Sequence, residues 1–467
     1  MTLIKSVSGI RGTIGGKTGE SLTPIDVARF AAAYGEWVKS FPQPHCVVVG
    51  RDARISGKIY TNIVLSTLMG MGIDVIDIGL STTPTVQMAV LMDKLSGGIM
   101  VSASHNPMQW NALKLFDNNG EYLSEKDGNR VLEIAANESM VFPDTKKLGK
   151  YSHDTSYLKR HVEQILALEL VDTKAIRKKN FKVVIDCINS TGGIVVPMLL
   201  EALGVKTIQK LNCEPDGHFA HNPEPLPEHL TQISSELKNG KYDLGIVVDP
   251  DVDRLCFVCE DGSMFGEEYT LVAIADYVLK HKKGCTVSNL SSSRALRDIT
   301  EKAGATYHTC PVGEYYVVKK MKECKAVIGG EGNGGIILPE LHYGRDALAG
   351  IALFLTHLAH FGKPISMLRA GYPNYYISKN KIELTPELDI DLIINEIKTR
   401  YHKQPINTED GVRIDFDKEW VHLRKSNTEP IIRIYAESET QTTADNLANK
   451  IISDIREVIS GHAGILR

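Results

Sequence analysis

One pattern recurs three times along the 467 residues and restricts the fold more than any other feature. "HCVVVGRDARIS" leads into the helix-like "GKIYTNIVLSTLMGMG" and then into the strand-like "IDVIDIG". "FKVVIDCINSTGG" leads to "IVVPMLLEALG" and "VKTIQKL", and "GCTVSNLSSSRALRDITEKAG" leads to "ATYHTCP". Each unit is an apolar, β-branched strand, a turn rich in Gly, Ser or Asn, an amphipathic helix closed by glycine, and a second strand. Such a unit is a parallel crossover, so three copies predict three similar α/β domains with mainly parallel sheets. The length agrees, because a single hydrophobic core stops growing well short of this size.

The pattern ends near residue 370. "IDFDKEWVHLRKSNTEPIIRIYAES" holds two period-two strands around a polar turn, and "TTADNLANKIISDIREVIS" follows as a helix, which predicts a smaller C-terminal α+β domain. The expected division is 1–150, 151–258, 259–368 and 369–467, arranged around a central cleft. Inside the second unit, "NCEPDGHFAHNPEPLPEHL" is a proline-rich loop too long for a mere connection.

With 43% hydrophobic and 24% charged residues and a formal net charge of -4, nothing points to a nucleic-acid or membrane-surface partner. No apolar run approaches membrane length and "MTLIKSVSGIRG" lacks a signal-peptide core, so a cytoplasmic protein is expected. The eight cysteines are scattered, which reads as reduced thiols. Cys256 and Cys259 form the one CxxC, in "RLCFVCED", and read as a plain strand rather than a zinc or redox motif.

Four stretches carry chemistry. In "VSASHNPMQW", Ser104 and His105 follow a short apolar strand and precede Pro107, so the serine sits where a strand ends and the backbone turns. In "GIVVDPDVDRLCFV", Asp249, Asp251 and Asp253 crowd the end of another strand. Clustered like charges are costly, and a divalent cation such as Mg2+ is the usual remedy; the neighbouring Arg254 suits a phosphoryl oxygen or an ion pair. "VIGGEGNGGIILPE" sets Glu331, Gly332 and Asn333 among glycines, a mix of donors and acceptors suited to sugar hydroxyls, although a tight structural turn has the same composition. "HLRKSNTEPIIRIYAES" supplies Arg424, Ser426, Asn427 and Thr428, with Arg433 beyond, as a nest for a phosphate dianion or as a charged hairpin turn. Two cations complete the set: Arg11 among the glycines of "SGIRGTIGG", and Lys114 on the strand after the serine turn.

Taken in order, "SGIRG", "SASHNP", "DPDVDR", "GEGNGG" and "RKSNTEP" resemble the motifs of the α-D-phosphohexomutase superfamily over essentially the whole chain. The resemblance implies four domains around a cleft and a phosphoserine at Ser104. It also implies Mg2+ held by the phosphate of Ser104 and by Asp249, Asp251 and Asp253. The expected reaction interconverts hexose 6-phosphate and 1-phosphate through a hexose bisphosphate that reorients between two half-reactions. Arg11, Lys114, His105 and Arg254 would then surround the transferring group, Glu331, Gly332 and Asn333 would read the sugar, and the C-terminal loop would grip the second phosphate. Two departures stand out: Glu314 occupies the "VG-" turn where some members carry histidine, and Asn333 and Gly335 replace the commoner serine and histidine. "GCTVSNLSSSRAL" also lacks the lysine of mannose- and glucose-type enzymes and looks more like phosphoglucosamine mutases. Glucosamine phosphate is therefore the expected substrate, with glucose or mannose phosphates as the alternative and a catalytically silent sugar-phosphate sensor as the remote one.

Overall fold

The computed structural model describes residues 2–6, 9–383, 390–425 and 431–463. All three repeats fold into one and the same four-stranded arrangement. In the first, Cys46–Arg51 lies between Asp74–Leu80 and Gly97–Val101, parallel to both, and Trp110–Phe116 returns antiparallel beside Gly97–Val101. In the second, Lys182–Asp186 lies between Thr207–Leu211 and Leu244–Val248, and Leu255–Cys259 returns antiparallel. In the third, Thr286–Asn289 lies between Tyr307–Cys310 and Ile328–Glu331, and Gly335–Ile337 returns antiparallel. The return from the third strand to the fourth is too direct to hold a helix. It leaves a loop at the carboxyl end of the parallel strands: residues 102–109, 249–254 and 332–334. That edge is where open α/β sheets bind ligands.

The first sheet grows at both ends, by Leu3–Ser6 and Gly9–Thr13 on one side and Tyr151–His153 on the other. The glycines around Arg11 do not make a flexible segment. Arg11 lies in a strand paired with Trp110–Phe116, opposite Ala112. Gly9 makes this possible, since a Cβ there would sit 2.2 Å from the Leu113 carbonyl oxygen.

Units two and three share one core running from Leu158 to Tyr372, in which Phe257 and Phe354 stack with ring centroids 3.7 Å apart. The helix Ala347–Phe361 is apolar nearly all round because it is buried between them. Asp346 caps it by accepting hydrogen bonds from the Leu348 and Ala349 amides. The C-terminal domain is a five-stranded antiparallel sheet, ordered Tyr376–Glu383, Ile431–Ser438, Trp420–Lys425, Val412–Asp415, Ile406–Asn407. Its helices Ile390–Arg400 and Gln441–Ala463 close a core of their own. Among the described residues no helix is long and apolar enough to cross a membrane.

Candidate active site

Ser104 takes the turn expected of it, but it is enclosed, with 6% of its surface exposed. Its backbone is left-handed (φ 48°), a region that costs a non-glycine residue about 1–2 kcal/mol. What holds it there is Arg54. Its guanidinium donates to the carbonyls of Ser104 (2.5 Å), Asn106 (2.6 Å), Pro107 (2.8 Å) and Trp110 (2.9 Å), and its Nε to Asp52 Oδ2 (3.1 Å). Asp52 Oδ2 also accepts from the Ser102 hydroxyl, whose oxygen in turn accepts from the Ser104 amide. Burial raises the Asp52 carboxyl, and the Arg54 charge offsets only part of that rise.

The serine hydroxyl points out of this cradle and donates to Asp249 Oδ2 at 2.6 Å, joining the first repeat to the second. Asp249, Asp251 and Asp253 are fully buried, and one carboxylate oxygen from each lies within 4.8 Å of the others. Val252 between them is also left-handed (φ 61°), a strained conformation for a β-branched residue that throws successive carboxylates to one side. Burial, then the charges of Asp253 and Asp251, push the Asp249 carboxyl well up. Asp251 Oδ1 and Asp253 Oδ1 have no hydrogen-bond partner among the described residues. Buried orphan carboxylate oxygens beside a hydroxyl are a donor set that fits a hard divalent cation.

Lys114, on the strand after the serine turn, is buried. Its ammonium donates to Asp251, to Asp253 Oδ2 at 2.8 Å and to Thr83 Oγ1 at 3.1 Å. Burial alone would lower its pKa, but Asp251 and Asp253 outweigh burial and hold it charged. Arg254 lies over the cluster with its Nε unpartnered among the described residues and Glu224 of the proline-rich loop at 3.8 Å. Phe219 of the same loop lies against Arg54, 5.0 Å from ring centroid to guanidinium. His105 Nδ1 is 3.5 Å from Ser104 Oγ, and burial, then Arg254 and Arg11, keep its ring neutral. Arg11 donates to Asn106 Oδ1 at 3.0 Å. Burial lowers the Arg11 pKa, and the charges of Arg254 and of Arg433 lower it further.

The third loop meets the second through Arg345. Its guanidinium donates to Asp253 Oδ2 (2.8 Å), Glu331 Oε2 (2.9 Å) and Glu314 Oε2 (2.9 Å), and its amide donates to Glu314 Oε1 (3.1 Å). Glu314 opens the helix Glu314–Cys324, and burial raises its carboxyl against the pull of Arg345. Glu331 also accepts from Asn289 (2.9 Å), the Gly313 amide (3.2 Å) and Asn333 (3.5 Å). Gly334 (φ 84°) must be glycine, because a Cβ would stand 2.2 Å from the Leu255 carbonyl oxygen on the strand leaving the aspartate loop.

From the C-terminal domain, Arg424 and Arg433 are paired residues on adjacent strands. Asp410 Oδ2 lies 2.8 Å from Arg424 Nε and accepts from the Val312 amide at 2.9 Å, so one carboxylate joins the arginine to the turn before Glu314. Ser426, Asn427 and Thr428 lie outside the described residues.

The structure thus gathers Ser104, His105, the three aspartates, Lys114, Arg254 and Arg11 about one point, with Glu331, Gly332, Asn333 and Glu314 on the adjoining wall. Sequence reasoning missed Arg54, Thr83, Asn289, Arg345 and Asp410. Two of these carried a signal: "RDAR" follows the first apolar strand at its carboxyl end, and "GRDALAG" puts a charged pair at a helix start.

A serine hydroxyl seated on a carboxylate cluster and ringed by cations defines an enzyme of phosphoryl transfer, where positioning and charge stabilisation do most of the catalysis. Comparison with known proteins gives the class its family. Profiles described as "Phosphoglucomutase/phosphomannomutase, alpha/beta/alpha domain" I, II and III match residues 3–141, 159–262 and 266–375, and that of the C-terminal domain matches 385–453. A phosphoglucomutase/phosphomannomutase of Thermococcus kodakarensis is 34% identical over 457 residues, 96% of this chain and 99% of that one. A phosphoglucosamine/phosphogalactosamine mutase of Sulfurisphaera tokodaii is 32% identical over 464 residues, 97% and 98%. A solved phosphoglucomutase/phosphomannomutase family protein of Burkholderia thailandensis shares the fold, with TM-score 0.84, 24% identity and 97% of each chain covered. The chain belongs to the phosphoglucomutase/phosphomannomutase family, and it is a phosphohexomutase, an intramolecular phosphotransferase that interconverts hexose 6-phosphate and hexose 1-phosphate.

Proposed function

We propose that the enzyme interconverts glucosamine 6-phosphate and glucosamine 1-phosphate through a phosphorylated Ser104 and a glucosamine bisphosphate. The observation that carries the chemistry is the 2.6 Å contact of the Ser104 hydroxyl with Asp249, beside two buried carboxylate oxygens without partners. Asp249, Asp251 and Asp253 would hold Mg2+ together with the phosphate on Ser104. Bound there, the ion would supply positive charge to the phosphoryl oxygens during transfer.

In each half-reaction the bond between phosphorus and a serine or sugar oxygen breaks as the bond to the other oxygen forms; the attacking hydroxyl loses a proton and the released oxygen takes one up, so that a hydroxyl is restored on the group that gave the phosphoryl. Arg54 holds the serine loop rigid. Lys114, fixed as a cation by two aspartates, and Arg254 with its free Nε stabilise the charge on the transferring group. Arg433 is near enough to Arg11 for its charge to lower the Arg11 pKa, so both would add positive charge around the bound phosphates. Arg424 and residues 426–428 would hold the phosphate that is not reacting, and Asp410 aims Arg424 at it.

The sugar reading rests on the wall. Arg345 brings one positive charge to Glu314 and Glu331, while Asp253, its third partner, is paired with Lys114 as well, so the two glutamates keep the wall beside the sugar acidic and favour an ammonium over a neutral hydroxyl. The name of the Sulfurisphaera relative agrees with it. Competition assays with glucosamine, glucose and mannose 6-phosphates, each with trace bisphosphate, test the assignment. The expected result is the highest kcat/KM for glucosamine phosphate; a clear preference for glucose or mannose phosphate would refute it.

A further inference from the structure

The third domain carries a second group of ligating side chains, at the end of its sheet opposite the catalytic loops. Cys285 immediately precedes the strand Thr286–Asn289, His308 lies on Tyr307–Cys310, and Cys324 is the last residue of the helix Glu314–Cys324. Their register explains why they meet. Cys285 and Val287 alternate onto the face covered by that helix, as do His308 and Cys310 on the neighbouring strand, and Val287, Cys310 and Met321 pack in one apolar cluster with Cys285 and Cys324 at its margin. Since the helix runs back from the carboxyl end of the strands, its last turn comes down beside their amino ends. The catalytic loops leave from the other end, so the group has no part in the site described above.

One Sγ of each cysteine and one ring nitrogen of His308 lie within 4.8 Å of one another, all on half-buried residues. Cys285 Sγ donates to the Cys324 carbonyl at 3.0 Å, and the His308 ring makes no hydrogen bond to any described residue. Burial, then the neighbouring Cys285 thiol, pushes the Cys324 thiol up to about 12. We propose that Cys285, His308 and Cys324 form a binding site for a thiophilic d10 cation, Zn2+, with solvent as the fourth ligand.

Two thiolates and an imidazole are the donor set such an ion selects, and three protein ligands with one open position is a stable zinc arrangement. Binding displaces the two Sγ–H protons to solvent as two metal–sulfur bonds form, His308 contributes a nitrogen lone pair, and no electrons are exchanged. The helix adds to the attraction, because the cation would stand at its carboxyl-terminal end, the negative end of its dipole. A disulfide between the two cysteines would leave His308 without a role. Bound metal would tie the amino ends of two strands to the last turn of the helix.

The test uses the full-length protein, reduced, freed of metal and kept in excess Mg2+ so that the aspartate cluster is occupied, and titrates it with Co2+. One equivalent should bind with thiolate-to-cobalt charge-transfer absorption and the intense visible bands of four-coordinate cobalt, and Zn2+ should displace it. Cys285→Ser and Cys324→Ser should each abolish the charge-transfer band, and His308→Ala should weaken Co2+ binding at least about tenfold, since even losing a partner of a ligand costs that much. Mutase turnover and circular dichroism of His308→Ala should match the parent. The proposal is overturned if the parent, with both thiols shown to be free, gives no charge-transfer band. It is equally overturned if the band survives in the double Cys285→Ser/Cys324→Ser variant. A Cys285–Cys324 disulfide formed in air, with no Co2+ binding by the reduced protein, would replace the metal site with a redox pair.

Discussion

Arg54 touches nothing that reacts, yet replacing it should cripple the enzyme. Its four contacts to the carbonyls of the serine loop are charge-assisted, and such bonds contribute roughly 1.5–3 kcal/mol each. They work against a left-handed Ser104 that costs about 1–2 kcal/mol. Even at the lower value they exceed the strain several-fold, so without Arg54 the loop should relax and the hydroxyl should leave Asp249. A shift of about 1 Å in a reacting group costs on the order of a hundredfold in rate. Arg54→Met also strands the buried Asp52, for which the loss of a buried partner suggests about 3–5 kcal/mol of stability in the first domain. Arg54→Lys separates the two effects: it keeps a charge beside Asp52 but cannot reach four carbonyls in a planar fork. The expected outcome is a melting temperature lowered less than in Arg54→Met, since Asp52 keeps a partner, with kcat/KM down about a hundredfold and KM little changed. Turnover of Arg54→Lys within about threefold of the parent would show that the loop holds its shape by other means, and the reasoning would fail.

Three further outcomes follow from other parts of the site. Arg345→Met leaves Asp253, Glu314 and Glu331 without their shared cation and should lower stability by about 3–5 kcal/mol and turnover by tenfold or more; denaturant unfolding beside steady-state kinetics would check both. Chelation should abolish turnover, with Mg2+ restoring it, and Asp251→Asn should lower kcat by the equivalent of roughly 3 kcal/mol with a much smaller change in KM; full activity in excess chelator contradicts the cation's role. His422, buried between Ser291 and the Asp410 carbonyl, is lowered to about 4 from 6.5 by burial. Between those values the unfolded chain binds a proton that the folded one does not, so stability is full above 6.5 and falls as pH drops towards 4, by up to about 1.4 kcal/mol per pH unit. His422→Gln should flatten that slope in denaturant titrations at pH 5 and 7, and an unchanged slope would rule the histidine out.

What was legible in the sequence is what strand and helix periodicity encodes. Three apolar strands followed by amphipathic helices gave three like sheets, and the strand ends gave Ser104 and the aspartates, because polar residues directly after a buried strand have few other reasons to be there. Lys114 and Arg345 show where that reading stops. Lys114 alternates like any half-exposed strand residue, and only the approach of Asp251 and Asp253 from another unit turns it inward. For Arg345 the sequence marks a helix start but not its three partners, which are 14, 31 and 92 residues away. The strand that carries Arg11 was hidden for a local reason: its glycines, which elsewhere loosen a chain, here permit a close strand pairing. Contacts between repeats leave no periodic trace, and they are what assemble this site.

The most direct test of the account is the mass of the peptide containing Ser104, isolated after the metal-replete enzyme has been incubated with a hexose 1,6-bisphosphate and again after excess hexose 6-phosphate. The account predicts one added phosphoryl group on Ser104 in the first sample, its loss or reduction in the second as it passes to the sugar, and none in Ser104→Ala, whose circular dichroism should match the parent. Phosphate found only on another residue, or mutase turnover retained by Ser104→Ala, would contradict it.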